Sequence, residues 1–220
     1  MLQSNFIFEP SLELRKAQEG GQINTAFSLD SSLKNIKMTL NEVTIKRKKE
    51  LVGKAEVFLL AVVVDNCSAN PIQVTCSEIF NNVRKGDKLT LGPAGLAVYR
   101  NEDGKIPAFL EYRILAIESD KRVRELGATL TELNSDPRFK DFVKSILILS
   151  SVSAGVIPVI ASASVFALEW FAKALSLNKD DQMILIQGSY DDKFDDLGVA
   201  YKEVVAENSF IKLKYQVKAA

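Results

Sequence analysis

The segment Lys54 to Asp65, KAEVFLLAVVVD, constrains this chain more than any other. In a β-strand successive side chains point to opposite faces. Ala55, Val57, Leu59, Ala61 and Val63 then share one face. Phe58, Leu60, Val62 and Val64 share the other, with Glu56 near the start. Antiparallel sheets normally keep one face wet and alternate apolar with polar residues. A strand that is apolar on both sides must be covered on both sides. Ala108 to Glu118 repeats the pattern: Leu110, Tyr112, Ile114 and Ala116 lie opposite Phe109, Leu115 and Ile117.

Other strand signals surround these two. Ile36 to Lys48 starts with Ile36, Met38 and Leu40 on one face and then shifts to Val43 and Ile45. Such a slip in phase predicts a β-bulge at Asn41-Glu42. Shorter strands are expected at Ile72 to Cys76, Lys88 to Leu91 and Gly95 to Arg100, with a turn at Asn101 to Gly104 that places Gly where φ is positive. Towards the C-terminus, strands are expected at Gln182 to Gln187, Val199 to Val205 and Ser209 to Val217. In the last of these, Ile211, Leu213, Tyr215 and Val217 alternate with lysines, which predicts a charged outer face.

Between the strand regions the period changes. Ser135-Asp136-Pro137 has the form of a helix cap followed by Pro at the first helical position. The charge-free stretch Ser145 to Leu168 is broken by Gly155 and Pro158. It predicts a two-helix hairpin over about 137–177, the available cover for the second face of the sheet. A membrane span is disfavoured: Gly155 and Pro158 look like an interhelix turn, six serines dilute the stretch, and each half is too short to cross. Residues 1–35 read as an extended N-terminal arm, with a short extended piece at Asn5 to Glu9. The expected architecture is therefore a mainly β chain: an antiparallel eight-stranded β-sandwich over 36–220, an inserted two-helix hairpin and the arm.

Composition narrows the function. Lys+Arg and Asp+Glu both number 28, so no global field draws the chain to nucleic acid or anionic lipid. Histidine is absent, which removes the commonest general base and zinc ligand and forbids Ser-His-Asp and Cys-His catalysis. No phosphate-binding glycine loop, dinucleotide fingerprint or nucleophile elbow occurs. Cys67 and Cys76 have no second pair to complete a zinc site, and two free thiols are expected. The first residues lack the basic and apolar regions of a signal peptide. The expected location is the cytoplasm, or delivery as part of an assembly.

The strongest candidate for chemistry is the acidic loop that contains Asp191, Asp192, Asp195 and Asp196. Several carboxylates on one loop can ligate Ca²⁺, although the spacing is not that of an EF-hand. The basic run Lys46-Arg47-Lys48-Lys49 abuts Glu50 and reads as a solvated turn. Trp170 and Phe171 read as core residues of the second helix.

The strand count and order from Ile36 to Val217 resemble the C2-like β-sandwiches. The resemblance is architectural and carries no motif. It implies docking to membranes or proteins, with calcium held by aspartates on clustered loops. Only Asp191, Asp192, Asp195 and Asp196 are comparable here, and the first-loop aspartate pair of that family is not evident.

The sequence thus predicts a non-enzymatic structural or docking subunit of a larger assembly, such as a phage particle or secretion machine. Protein partners or a homo-oligomer are expected, and nucleic acid is not. The alternative is a peripheral membrane protein whose hairpin inserts or whose acidic loop binds Ca²⁺.

Overall fold

The computed structural model describes residues 35–49, 55–68, 72–101, 104–118, 182–192, 195–199 and 201–220, together with the backbone of 6–8. Among them are ten strands: β1 (Phe6–Phe8), β2 (Ile36–Ile45), β3 (Ala55–Asp65), β4 (Ile72–Cys76), β5 (Phe80–Val83), β6 (Leu96–Arg100), β7 (Phe109–Glu118), β8 (Gln182–Asp191), β9 (Val204–Glu207) and β10 (Ile211–Ala219). They form two sheets. The first has six strands in the order β1-β8-β7-β3-β4, with β5 also on β3; the second has four in the order β6-β2-β10-β9.

The two-faced strands are at the centre of the first sheet, where β3 pairs with β7 from Val57↔Glu118 to Asp65↔Leu110. Central strands meet neighbours on both edges, so long apolar runs suit them. One edge of β3 is shared end to end, with β5 on Ala55 to Val57 and β4 on Leu60 to Val64. Ser77 fills the gap between them: its backbone N–H donates to the Leu59 carbonyl, and its hydroxyl oxygen accepts from the Leu59 N–H at 2.9 Å.

The core lies between the sheets. Val57, Leu59, Ala61, Val63, Leu110, Tyr112 and Ile114 face Ile36, Met38, Leu40, Val43, Leu213 and Tyr215, all of them buried. Each such aliphatic side chain contributes about 1.5–3 kcal/mol by leaving water. The opposite face of the first sheet is buried as well, including Phe58, Leu60, Val62, Val64, Leu115 and Ile117. This is the outcome the two-faced pattern requires. The second sheet is one-sided: β10 buries Ile211, Leu213, Tyr215 and Val217, and Lys212, Lys214 and Gln216 are half-buried on its outer side.

One side of the sandwich is stitched shut. The Gln73 side chain on β4 reaches the edge of β6, where its Nε2 donates to the Arg100 carbonyl at 2.7 Å and its Oε1 accepts from the Arg100 N–H at 3.1 Å. A side-chain amide thus occupies main-chain groups that an edge strand would otherwise offer to another chain.

Several expectations are corrected. The eight-stranded, wholly antiparallel sandwich gives way to ten strands, and β1 joins β8 in parallel. No α-helix occurs among the described residues, so the two-helix hairpin is not part of the observed fold; residues 137–177, with Trp170 and Phe171, lie outside the described residues. Lys88 to Leu91 is not a strand and contributes only the bridge Thr44↔Lys88. The strand expected from Val199 begins at Val204, because a 3₁₀ turn at Asp196–Gly198 precedes it. The bulge is where the phase slip puts it: Lys214 pairs with Glu42 and Tyr215 with Leu40, which leaves Asn41 extra. Gly104 has φ +64°, as its turn position demands.

Candidate functional site

Three regions bear on function: the outer edge of β8 and the two ends of the sandwich. β8 pairs along its length with β7, and its other edge receives β1 in parallel, with Phe6↔Leu185, Ile7↔Ile186 and Phe8↔Gln187. The arm residues therefore add a strand to a sheet edge, a mode in which main-chain hydrogen bonds supply the affinity.

The acidic loop closes one end of the sandwich. Asp195 is buried, and its Oδ1 accepts the Asp191 N–H at 2.6 Å. Its N–H donates back to the Asp191 carbonyl at 3.2 Å, and its own carbonyl accepts from the Gly198 N–H at 2.9 Å. Asp192 donates its N–H to the Ala108 carbonyl at 3.0 Å. These bonds fold the loop into a tight cap in which Asp196 and Leu197 take positive φ values of 54° and 52°. Leu197 is buried, and Gly198 presses on Tyr190, where a Cβ would be 2.9 Å from the ring. Tyr190 stacks on Tyr112 with ring centroids 5.3 Å apart, and the Tyr112 and Tyr215 hydroxyls are 3.1 Å apart. Burial pushes the Asp196 carboxyl up from its ordinary range.

The loop thus presents Asp195 as a backbone cap. Among the described residues, Asp191, Asp192, Asp195 and Asp196 included, no group of three or more His, Cys, Asp or Glu is placed to hold a metal ion.

A second polar cluster shares this end, at the close of β3 and of β6. Asp65 is fully buried. Its Oδ1 accepts from the N–H groups of Cys67 at 2.8 Å and Ser68 at 2.7 Å, and its Oδ2 accepts the Ser68 hydroxyl at 2.6 Å. A carboxylate engaged by three donors stabilises a turn and is poorly placed to act as a base. Tyr99 lies nearby with its hydroxyl unbonded; burial pushes its pKa up, and the charge of Asp65 adds to the rise. Asn101 accepts the Ile36 N–H at 2.6 Å and donates to the Lys105 carbonyl at 2.6 Å, which ties three segments together. Neither thiol is in a disulfide: Cys67, half-buried before β4, donates its Sγ–H to the Lys105 carbonyl at 3.2 Å, and Cys76 is exposed at the end of β4.

The opposite end is basic. Lys46 and Arg47 donate their N–H groups to the Phe210 carbonyl at 2.7 and 2.9 Å, and Lys49 donates its N–H to the Glu118 carboxylate at 2.8 Å. The run 46–49 is therefore anchored through its backbone, with Lys46 and Arg47 exposed and Lys48 and Lys49 half-buried. The cationic groups of Arg47 and Lys49 lie 5.9 and 5.4 Å from the centre of the Phe210 ring.

The fold and these regions define a two-sheet β-sandwich whose loop end is held by buried polar caps. No family model, no curated protein and no solved structure matches the chain. The C2-like resemblance therefore extends no further than β-sandwich architecture.

Proposed function

We propose that this chain is a non-enzymatic structural or docking subunit of a larger assembly, joined to its neighbours through sheet edges and the N-terminal arm. The observation that carries the reading is the parallel addition of Phe6–Phe8 to the edge of β8. A strand edge that takes an arm strand is an edge built for strand addition. Two further features agree. Without histidine the chain lacks the usual acid–base equipment, and among the described residues the buried carboxylates Asp65, Glu118 and Asp195 accept backbone N–H groups.

The test is the light-scattering mass of the full chain, without detergent, beside that of a chain lacking residues 1–30. The full chain is expected as a discrete oligomer, and the truncated chain as a folded smaller species. An Ile7→Pro variant, which removes one N–H from the added strand, is expected to weaken the oligomer in the same direction. A full-length monomer at every concentration would overturn the reading.

A further inference from the structure

We propose that the free edge of β9 pairs with the β9 edge of a second copy of this chain about a two-fold axis, joining their second sheets into one continuous sheet. The inference deepens the assembly reading: it rests on that reading's homo-oligomer but not on its arm. β9 is the last strand of the second sheet and pairs with β10 from Lys212↔Glu207 to Tyr215↔Val204. The Asn208 N–H donates to the Ile211 carbonyl at 3.0 Å. Hydrogen-bonded pairs alternate along an antiparallel ladder. Val204 and Ala206 therefore turn their main-chain groups towards β10, and Val205 and Glu207 turn theirs away from it.

Other edges are guarded. Gln73 fills that of β6, β1 lies on that of β8, and Asn82 kinks β5 at φ +59°. Beyond β9 no strand lies among the described residues. Val205, 48% exposed on β9, is the one exposed large hydrophobic among them. Charged side chains that would guard such an edge are drawn back over the sheet. Glu203 accepts from the Asn41 side-chain amide at 3.1 Å and meets Lys214 at 3.5 Å, and Glu207 faces Lys46 at 3.8 Å. Outward main-chain groups and an exposed apolar side chain thus coincide on one strand.

The strand is complementary to itself in one register. A two-fold axis normal to the sheet sets outer-face residues against outer-face residues, so it passes through Val205 or Ala206. Centred on Val205, the pairing would oppose Glu203 to Glu207 of the second copy, and like charges directly opposite destabilise. Centred on Ala206, it opposes Val205 to Glu207 of the second copy in both directions. Each such pair exchanges both of its N–H···O bonds. The row across the joined outer faces then runs Lys214, Val205, Glu207, Lys212, with no like charges adjacent. At the axis Ala206 meets its own counterpart, where a pair without hydrogen bonds brings the Cα atoms to about 4.5 Å and a small side chain fits.

The experiment is sedimentation velocity of the full chain over a series of concentrations, where a mass that rises with concentration is expected. Val205→Pro removes an N–H that the chain's own ladder does not use, and Val205→Lys sets a charge on the edge. Each is expected to keep the parent's far-UV circular dichroism and to weaken self-association about tenfold or more. Val205→Lys serves if the proline variant loses its fold. With Cys67 and Cys76 replaced by Ser, V205C/E207C is expected to give a covalent dimer on mild oxidation, and V205C alone to give none. A covalent dimer from V205C alone would overturn the register centred on Ala206. Association that neither Val205 variant alters, or a chain monomeric at every concentration, would overturn the proposal. A mass lowered by Ile7→Pro and not by the Val205 variants would remove this contact and leave the arm reading standing. The converse would remove the arm reading and leave this contact.

Discussion

The outer faces of the two sheets carry ion pairs of nearly equal length in opposite surroundings. On the first sheet Arg113 Nη2 meets Glu111 Oε1 at 2.6 Å, with side-chain exposures of 5% and 11%. On the second, Lys88 meets Glu42 at 2.8 Å, with exposures of 66% and 26%. The buried pair sits among Val62, Val64 and Leu115, and Arg113 Nε and Nη1 have no hydrogen-bond partner. Desolvating two charges is costly, so the buried pair does not stabilise in proportion to its closeness. Its partners nevertheless depend on one another, because a lone buried charge is worse still. The exposed pair sits in water, where the attraction is screened and small. Distance alone does not rank ion pairs; burial does.

The largest effect expected from this contrast is at Glu111. Replacing it by Ala leaves the guanidinium buried without its carboxylate and is expected to cost about 3–5 kcal/mol in urea unfolding. The joint replacement Glu111→Leu with Arg113→Met is expected to recover most of that loss. A single variant within about 1 kcal/mol of the parent would mean the pair is solvated.

The second sheet should be sensitive at its backbone rather than on its outer face. Gly95 has φ +75°, and a Cβ there would lie 2.4 Å from the Leu40 carbonyl oxygen. Gly95→Ala is expected to cost about 2 kcal/mol or more, read as a lowered melting temperature. A neutral result would show that the approach of β6 to β2 is soft.

The smallest effect is expected at Glu42, whose carboxyl is held below its usual range chiefly by the Lys88 ammonium, with Lys214 adding to the effect. A depressed folded-state pKa gives stability that is present above the unfolded value and lost as pH falls through the folded value. Glu42→Gln should therefore lower the melt slightly at neutral pH, and the difference from the parent should vanish as pH falls through the Glu42 titration. A large loss at neutral pH would place this pair in the same class as the buried one.

Much of the fold was legible in the sequence because pairing and burial follow local periodicity. The alternation in Ala55 to Asp65 announced a strand buried on both faces, and the slip at Asn41 announced the bulge. Phe80–Val83 was not legible: Asn81 and Asn82 are poor strand formers, and Asn82 has φ +59°. That strand forms because the β3 edge beside Ala55 to Val57 is vacant beyond the end of β4. The packing of the acidic loop was hidden. Charge spacing does not reveal that Asp195 turns inward to cap Asp191, or that Gly198 must admit the Tyr190 ring.

By itself the sequence determined the long central strands, which of their faces are buried and which catalytic residues the chain lacks, since alternation and composition are local properties. Only the tertiary structure decided what those segments meet. It set the arm strand in parallel on β8, buried Glu111 with Arg113, and joined the basic run at 46–49 to Arg84 and Lys85. These outcomes rest on contacts between residues far apart in the chain, and no short window of sequence encodes which strands become neighbours.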